Sequence, residues 1–317
     1  MSIDYLSLVQ IQHRKHAYFR DFVIKMITRL SIARLIKPKT RITSQHVGDV
    51  VITSRLEKYN DIVLMAHFDS SGQISEADRH LLRKFKEIGY EVVLISTSVQ
   101  GEAKHKELWT EIGDEVDGLL TKPNSGFDFG SWACGISQLE ISKKLTGNLI
   151  LINNSVFGPF GKLESLLNSW NTDCPIFGIT SSNEFVEHVQ SYFIGFRNSM
   201  LRELAFINYW KSDFDQKIKW NTILRNEMRW ASYFKLAGFS VCVKHEPPKG
   251  FLRNPLTFHW SNLLRNGMPF VKKSLFTHNY DHIDLDNWKA ECYSNDKDFP
   301  LVFIEQLVND FRSMDSK

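Results

Sequence analysis

Cysteines are few in this 317-residue sequence and stand far apart: Cys134, Cys174, Cys242 and Cys292. They form no Cys-x-x-Cys pair, which argues against a zinc module and against a framework of disulfides. Isolated thiols of this kind fit a reducing compartment, so the sequence predicts a cytoplasmic protein.

Long apolar runs are also missing. No stretch of about 18 uncharged apolar residues occurs, so no segment is expected to span a bilayer. Residues 1–16 are polar and lack the apolar core of a signal peptide. The net charge is only +3, which does not indicate a protein that binds nucleic acid.

Several motifs with well-known chemistry are absent. The sequence has no P-loop and no Gly-x-Gly-x-x-Gly, which disfavours an ATPase or a dinucleotide-dependent enzyme. It has no His-Glu-x-x-His, no Gly-x-Ser-x-Gly and no compact metal triad. A nucleotidyltransferase would need a pair of carboxylates for two metal ions, and no such pair stands out.

Basic residues, by contrast, are concentrated near the start of the chain. From Arg14 to Arg41 lysines and arginines recur, and Asp21 is the only acid. Apolar residues stand among them at helical spacing, so this stretch predicts a basic amphipathic helix within a separate segment, residues 1–45. The helix either attaches to an anionic membrane surface or packs on the protein with its basic face in water.

From residue 61 onward, apolar strands alternate with helical segments. The predicted strands are 61–67, 91–96, 117–121, 148–153, 175–180, 189–196 and 239–243. The predicted helices are 75–89, 103–112, 129–144, 162–170, 199–210 and 220–237. Because each strand is a nearly continuous apolar run, the pattern predicts an α/β, Rossmann-type fold whose central sheet is mainly parallel and covered on both faces. Residues 46–317 are expected to form one domain, closed by a segment of short helices from about residue 247.

Polar residues follow the predicted strands, where ligands of such sheets bind. His67 and Asp69 follow the first strand, and the third leads into the loop 122–132. Small residues in that loop either let the backbone approach a phosphate or simply make a tight turn. The fourth strand is followed by Asn153-Asn154-Ser155, whose amides and hydroxyl suit a polyol or a phosphate better than a divalent cation.

Two further groups could take part in chemistry. Glu227 would be a general base if it lay in a cleft, although a helix dipole alone also favours an acid in a first turn. Residues 180–193 hold a dense polar group that includes His188. This histidine could be a base, a phosphate donor or an ordinary structural residue.

Several segments, taken in order, carry a resemblance to a known family. They are Asn124-Ser-Gly-Phe-Asp-Phe-Gly-Ser-Trp132, Leu151-Ile-Asn-Asn-Ser-Val-Phe-Gly-Pro159, Phe177-Gly-Ile-Thr180 with His188-Val-Gln-Ser-Tyr-Phe193, Asn254-Pro-Leu-Thr-Phe-His-Trp260, and Gly267-Met-Pro-Phe-Val-Lys272. Over about residues 60–280 the chain resembles the rhamnan-synthesis protein F family of bacterial polysaccharide glycosyltransferases.

The resemblance implies a GT-A-like fold and transfer of a sugar, typically L-rhamnose from dTDP-rhamnose, with inversion at the sugar. The partners it implies are a nucleotide sugar, a lipid-linked oligosaccharide acceptor and other polysaccharide synthases. Together with the basic segment it predicts a peripheral protein at the inner face of the plasma membrane, in contact with anionic lipid.

The resemblance also suggests roles for residues. Asn226-Glu227 is similar to the acidic motif of inverting GT-A enzymes, so Glu227 is expected to be the catalytic base, with His188 beside it. Residues expected to hold the donor are His67, Asp69, Asn124, Asp128, Gly130, Asn153, Asn154, Ser155 and Lys272, with Lys273 as the alternative to Lys272. Residues expected near the acceptor are Ser181, Glu187 and Gln190.

Two positions depart from the family pattern. Asn154 stands where the family usually has Asp, and Phe127 stands where it has Arg. No metal ligand is therefore assigned, and whether a divalent metal takes part stays open. The donor also stays open, since a galactose or galactofuranose nucleotide is the nearest alternative. The same two departures favour a hypothesis from another class of function. In this hypothesis the protein is a scaffold without activity that docks other synthases through residues 14–41.

Overall fold

The computed structural model describes residues 50–56, 59–212, 214, 223–279 and 281–315. The basic helix expected within residues 1–45 lies outside this part of the chain. None of the described helices combines the length and apolar composition needed to cross a bilayer.

A single large sheet forms the centre of the described structure. Its strands are β1 (Val51–Ser54), β2 (Ile62–His67), β3 (Glu91–Ser96), β4 (Gly118–Thr121), β5 (Leu149–Asn153), β7 (Ile176–Ser182), β8 (His188–Val189), β9 (Phe193–Phe196) and β10 (Val241–His245). The predicted strands are thus present, although the last stretch before residue 197 divides into β8 and β9. Sequence analysis did not identify β1.

The order of strands across the sheet is β1-β4-β3-β2-β5-β9-β7-β10, and β8 pairs with β7. Neighbours among β4, β3, β2 and β5 are parallel, as are β7 and β10. β9 runs antiparallel between β5 and β7, and β1 is antiparallel at the outer edge. The prediction of an α/β fold with a mainly parallel central sheet is therefore confirmed.

Helices cover both faces of this sheet. One face carries α1 (Glu76–Glu87), α2 (Glu102–Ile112) and α5 (Leu163–Asn168), and the other carries α3 (Phe127–Gln138), α4 (Ile141–Lys144), α6 (Leu204–Trp210) and α7 (Trp230–Leu236). The packing of β2 shows why its sequence is apolar up to Ala66: Ile62 and Leu64 pack toward the second group of helices, whereas Val63 packs toward the first.

α1 begins as the sequence predicts. The hydroxyl of Ser75 accepts from the backbone N–H of Asp78 at 3.2 Å and donates to its carboxylate at 2.7 Å. This reciprocal cap satisfies one of the unpaired N–H groups at the start of the helix. The helix predicted over 129–144 is instead two helices, α3 and α4, separated by Glu140 in a left-handed conformation.

A smaller apolar cluster holds the closing segment against the sheet. The segment begins with α8 (Pro255–Phe258), whose Leu256 packs in the large cluster on the face that carries α1. The elements of the smaller cluster are β6 (Val156–Phe157), α9 (Trp260–Arg265), β11 (Val271–Lys272), α10 (Lys273–Phe276), α11 (Trp288–Asn295) and α12 (Val302–Asp315). β11 pairs antiparallel with β6, which follows β5 directly. This pairing ties the C-terminal part of the chain to the centre of the sheet.

The structure corrects the expectation that no cysteines pair. Cys174 and Cys242 form a disulfide, with their Cα atoms 6.2 Å apart. Their separation of 68 residues gave no sign of this. The parallel register of β7 and β10, in which Cys242 lies opposite Phe177, brings the two residues together. Cys134 and Cys292 are buried thiols.

Candidate functional site

The carboxyl ends of the parallel strands meet at one edge of the sheet, as sequence analysis assumed. β7 is antiparallel to β9 and β9 to β5, so β7 runs in the same direction as β5. Residues after β2, β4, β5 and β7 therefore share this edge. The edge divides into two regions with different properties.

The first region, here called the polar edge, comprises His67, Asp128, Asn153, Asn154 and Ser155. Asn153 donates to the Asp128 carboxylate at 2.7 Å and accepts from the backbone N–H and the hydroxyl of Ser155 at 3.1 and 2.6 Å. Asn153 is only 5% exposed. Its amide is thus engaged at both ends, and it links the end of β5 to the first turn of α3.

Asn154 makes a different link. Its amide nitrogen donates to the Phe68 carbonyl at 3.1 Å, and its oxygen accepts from the Phe68 N–H at 3.4 Å. The two bonds join the chain after β5 to the chain after β2. A carboxylate could accept from the N–H but could not donate to the carbonyl. The asparagine at this position therefore matches the local structure better than the aspartate of the family pattern.

His67 is buried at the end of β2. Its Nδ1 lies 3.3 Å from the hydroxyls of Ser96 and Ser98, and its Nε2 lies 3.9 Å from the Asp78 carboxylate. Burial lowers the pKa of His67, and Asp78 opposes that shift. The imidazole is therefore neutral at pH 7 and is buried inside the protein.

The remaining donor candidates in this region form turns. Asp69 accepts from the Ser71 N–H at 2.7 Å, and Ser98 caps the Asp69 N–H at 2.7 Å. A Cβ atom at Gly130 would lie 2.7 Å from the Ser125 carbonyl oxygen, so this glycine is required by the loop itself. Asn124 is exposed at the start of that loop.

The second region is a cavity of about 320 Å³ beyond the ends of β7 and β8. Its polar lining residues are Glu184, His188, Gln190, Glu227, Asn254, Thr257, Lys272, Ser274, Asn279 and Asp281. The structure brings four predicted site residues together here: both catalytic candidates, the acceptor candidate Gln190 and the donor candidate Lys272.

Two acceptor candidates do not line this cavity. Ser181 is buried in the β7–β8 pairing, where it lies opposite Val189. Glu187 is 75% exposed at its side chain and lies 3.6 Å from Lys235. Neither residue is placed to contact a ligand in the cavity.

The hydrogen bonds of His188 and Gln190 define their chemistry. His188 Nδ1 lies 2.8 Å from the Val186 carbonyl, which can only accept. Nδ1 must therefore carry the proton, and Nε2 of the neutral ring is an acceptor. Gln190 accepts from Thr180 at 2.8 Å and donates to Asn254 at 3.1 Å. It holds Asn254 in the cavity wall.

Glu227 lies at the end of a π-helical turn, Ile223–Glu227, and α7 begins only at Trp230. The expectation that Glu227 opens the long helix is therefore wrong in detail. A π turn inserts an extra residue, and such turns are frequent at functional sites. Gly238 follows α7 with a φ of +91°.

Lys272 reaches the cavity from β11, where it pairs with Val156. Lys273, the first residue of α10, does not line the cavity. Its ammonium donates to the Asp78 carboxylate at 2.8 Å. Of the two lysines that the sequence left open, the structure therefore places Lys272 in the cavity.

Sequence analysis missed several lining residues. Glu184, Asn279 and Asp281 stand in irregular segments that no strand or helix pattern marks. Asn254 was visible only as part of a family segment. Among the described residues, no three histidine, cysteine or acidic side chains cluster in a way that could hold a metal ion. No step is therefore assigned to a metal.

The fold and the cavity define a doubly wound α/β protein with a cavity lined by acidic and amide side chains at the carboxyl edge of its sheet. Comparison of sequences places it more closely. The chain belongs to the rhamnan synthesis protein F family, whose model matches residues 92–315, more than half of the chain.

Two curated relatives share part of the sequence. Virulence protein VirA of Vibrio anguillarum is 26% identical over 207 aligned positions, which cover 54% of this chain and 66% of VirA. The uncharacterized protein y4gN of Sinorhizobium fredii is 27% identical over 208 positions, which cover 63% of this chain and 52% of y4gN. The chain thus spans less than two thirds of either relative.

Solved structures with distant similarity include three glycosyltransferases. A glycosyltransferase involved in the glycosylation of the major capsid of PBCV-1 has a TM-score of 0.37 at 11% identity, and the match covers 68% of this chain and 93% of that one. The mannosyltransferase PcManGT of Pyrobaculum calidifontis scores 0.37 at 10% identity, covering 86% and 78%. The bifunctional glycosyltransferase WbbM scores 0.31 at 11% identity, covering 77% and 53%. Scores this low carry nothing about their sugars or metal ions over to this chain.

Proposed function

We propose that the protein is a glycosyltransferase of polysaccharide synthesis and that the cavity beyond β7 and β8 is its active site. The observation that supports this most is the meeting of Glu227, His188 and Lys272 in one cavity at the carboxyl edge of the sheet. A carboxylate, an imidazole and an ammonium from three separate segments provide a base, an orienting group and a cation.

The proposed reaction is a single displacement. An acceptor hydroxyl gives its proton to the Glu227 carboxylate while its oxygen attacks the anomeric carbon of the donor sugar. The bond between that carbon and the diphosphate oxygen breaks, and the nucleoside diphosphate leaves. Lys272 offsets the charge that builds up on the leaving oxygen. His188 Nε2 is proposed to accept a hydrogen bond from a sugar hydroxyl and so orient it.

The family description names rhamnan synthesis, which supports L-rhamnose as the proposed sugar. We propose dTDP-rhamnose as the donor, inversion at the sugar and a lipid-linked glycan as the acceptor. A single displacement inverts the anomeric centre and needs one base, the role proposed for Glu227. We further propose that the protein works at the inner face of the plasma membrane. The cavity lining does not distinguish a rhamnose donor from a galactose or galactofuranose donor.

The experiment that tests this proposal measures nucleoside diphosphate release by the purified protein from a panel of nucleotide sugars, each with and without Mg²⁺ or Mn²⁺. The acceptor is a mixture of lipid-linked oligosaccharides from a bacterial membrane extract. Turnover with one donor is expected, and Glu227→Gln should lower kcat by about 100-fold or more because the base is lost.

Glu187→Gln is the matched control. It makes the same chemical change at a carboxylate that is 75% exposed and lies outside the cavity. This variant should keep the kcat of the original protein. Equal kcat values for Glu227→Gln and Glu187→Gln would remove Glu227 from the reaction. If the protein binds no nucleotide sugar and turns none over, the alternative is favoured: a scaffold without activity that docks other synthases.

A further inference from the structure

Next to the cavity lies a buried group of charged side chains that the proposed reaction does not use. Asp78 on α1 is 4% exposed at its side chain, and Lys273, at the junction of β11 and α10, is 17% exposed. The ammonium donates to the carboxylate at 2.8 Å. The two residues are 195 positions apart in sequence, so the pair joins the closing segment to the body of the sheet domain.

Lys273 is fixed by more than this pair. Its backbone N–H donates to the Ser155 carbonyl at 2.9 Å, and its ammonium lies 5.4 Å from the centre of the Phe157 ring. These contacts hold the residue that directly follows Lys272. Any rotation or shift of β11 would therefore move Lys272 relative to the cavity.

The other neighbours of Asp78 cannot replace Lys273. Ser75 donates one hydrogen bond to the carboxylate but carries no charge. His67 Nε2 lies at 3.9 Å, beyond hydrogen-bonding distance, and burial lowers the pKa of this histidine. Within the described part of the chain, Lys273 is thus the cation that compensates this buried carboxylate.

We infer that Asp78 and Lys273 are positioning residues, which hold β11 so that Lys272 faces the diphosphate of the donor. The Asp78–Lys273 ion pair is observed in the structure. Its effect on donor binding rests on the proposed function. The two adjacent lysines divide the work: Lys272 contacts the ligand, and Lys273 fixes the strand that presents it.

The first test does not depend on function. Hydrogen exchange of residues 271–273 is compared between the original protein, Lys273→Met, Lys273→Arg and the control Lys84→Met. Lys84 pairs with Glu87 on the surface of α1, at 2.7 Å. Exchange should become about tenfold faster in Lys273→Met, because local opening of β11 becomes easier, and should stay near the original in the other two variants. Unchanged exchange in Lys273→Met would overturn the inference.

The second test separates positioning from plain stability. The double variant Asp78→Asn, Lys273→Met removes both charges, so no buried carboxylate is left unpaired and Tm should recover most of the loss seen in Lys273→Met. Asparagine at 78 keeps an acceptor for Ser75 and so keeps the cap of α1. If the pair positions Lys272, the Kd for dTDP measured by calorimetry should stay about tenfold weaker in the double variant despite the recovered Tm.

The outcomes are distinguishable from those of the proposed function. A double variant that recovers both Tm and the Kd for dTDP would show a merely structural pair and overturn the positioning role. If the original protein neither binds dTDP nor turns over any donor, the proposed function fails, and hydrogen exchange alone still decides whether the pair holds β11.

Discussion

The polar edge and the cavity lie along the same side of one sheet, yet they use polar residues in opposite ways. At the polar edge, the amide of Asn153 hydrogen-bonds Asp128 and Ser155. The amide of Asn154 hydrogen-bonds the backbone of Phe68. In the cavity, carboxylates, amides and an ammonium line a space of about 320 Å³. Polar residues at strand ends therefore need not face a ligand, even where the fold places them at its binding edge.

The contrast has a physical cause. β2 and β5 are adjacent in the sheet, so their following segments are close enough to bond each other directly. β7 is followed instead by β8, which pairs antiparallel with it. Residues of the closing segment line the cavity beyond these two strands but leave it open. The space remains where three separate parts of the chain meet.

The largest effect that would test this contrast is expected at Lys272. Lys272→Met should lower kcat/KM by about 100-fold, because the cation that offsets the leaving diphosphate is lost, while Tm stays unchanged. Lys104→Met, at an exposed position on α2, is the control and should behave like the original protein. A steady-state assay of nucleoside diphosphate release measures both. A loss below twofold in Lys272→Met would mean that the diphosphate lies elsewhere.

At the polar edge the expected effect is on stability. Asn153→Ala leaves the Asp128 carboxylate and the Ser155 hydroxyl each without one partner, which should cost about 2 kcal/mol of unfolding free energy. Urea unfolding at neutral pH measures it. If Asn153 bound the donor instead, its loss would raise the KM for donor without changing the unfolding free energy.

Asn154→Asp restores the residue usual in the family and should have a smaller effect. The aspartate keeps an acceptor for the Phe68 N–H but leaves the Phe68 carbonyl without its donor, which should cost about 1 kcal/mol. Urea unfolding tests this, and activity measured with and without Mn²⁺ should remain that of the original protein. New dependence on Mn²⁺ would show that this position faces the donor after all.

Much of the fold could be predicted because local patterns determined it. The fully buried strands β2 and β5 are apolar up to their last residues, His67 and Asn153. Ser75 with Asp78 marks the start of α1. The antiparallel direction of β9, the separate β8 and the Cys174–Cys242 disulfide could not be predicted in this way. Each depends on strand register, which the spacing of residues along the chain does not record.

The candidate site was predictable in part for a similar reason. The family segments contained His188, Gln190 and Lys272, and the structure brings these residues into the cavity. The rule that ligands bind at strand ends correctly identified the edge of the sheet. The rule could not show which polar side chains hydrogen-bond each other rather than face the cavity. Such hydrogen bonds join residues from different segments, for example Asn153 and Asp128.

The smallest expected effect concerns pH and the buried His67. Burial lowers its pKa in the folded protein below the ordinary 6.5, so the unfolded chain binds a proton first as the pH falls. The stability contributed by the neutral ring is fully present above pH 6.5 and is lost as the pH falls from there toward the folded-state pKa. His80, His105 and His245 have pKa values lowered by burial too, so several residues add to this slope. Urea unfolding at about pH 7.5 and about pH 5.5 should show a smaller difference in His67→Gln than in the original protein. Equal differences in the two proteins would mean that His67 gains its proton without leaving the folded state, and the polar edge would then be open to water at its most buried residue.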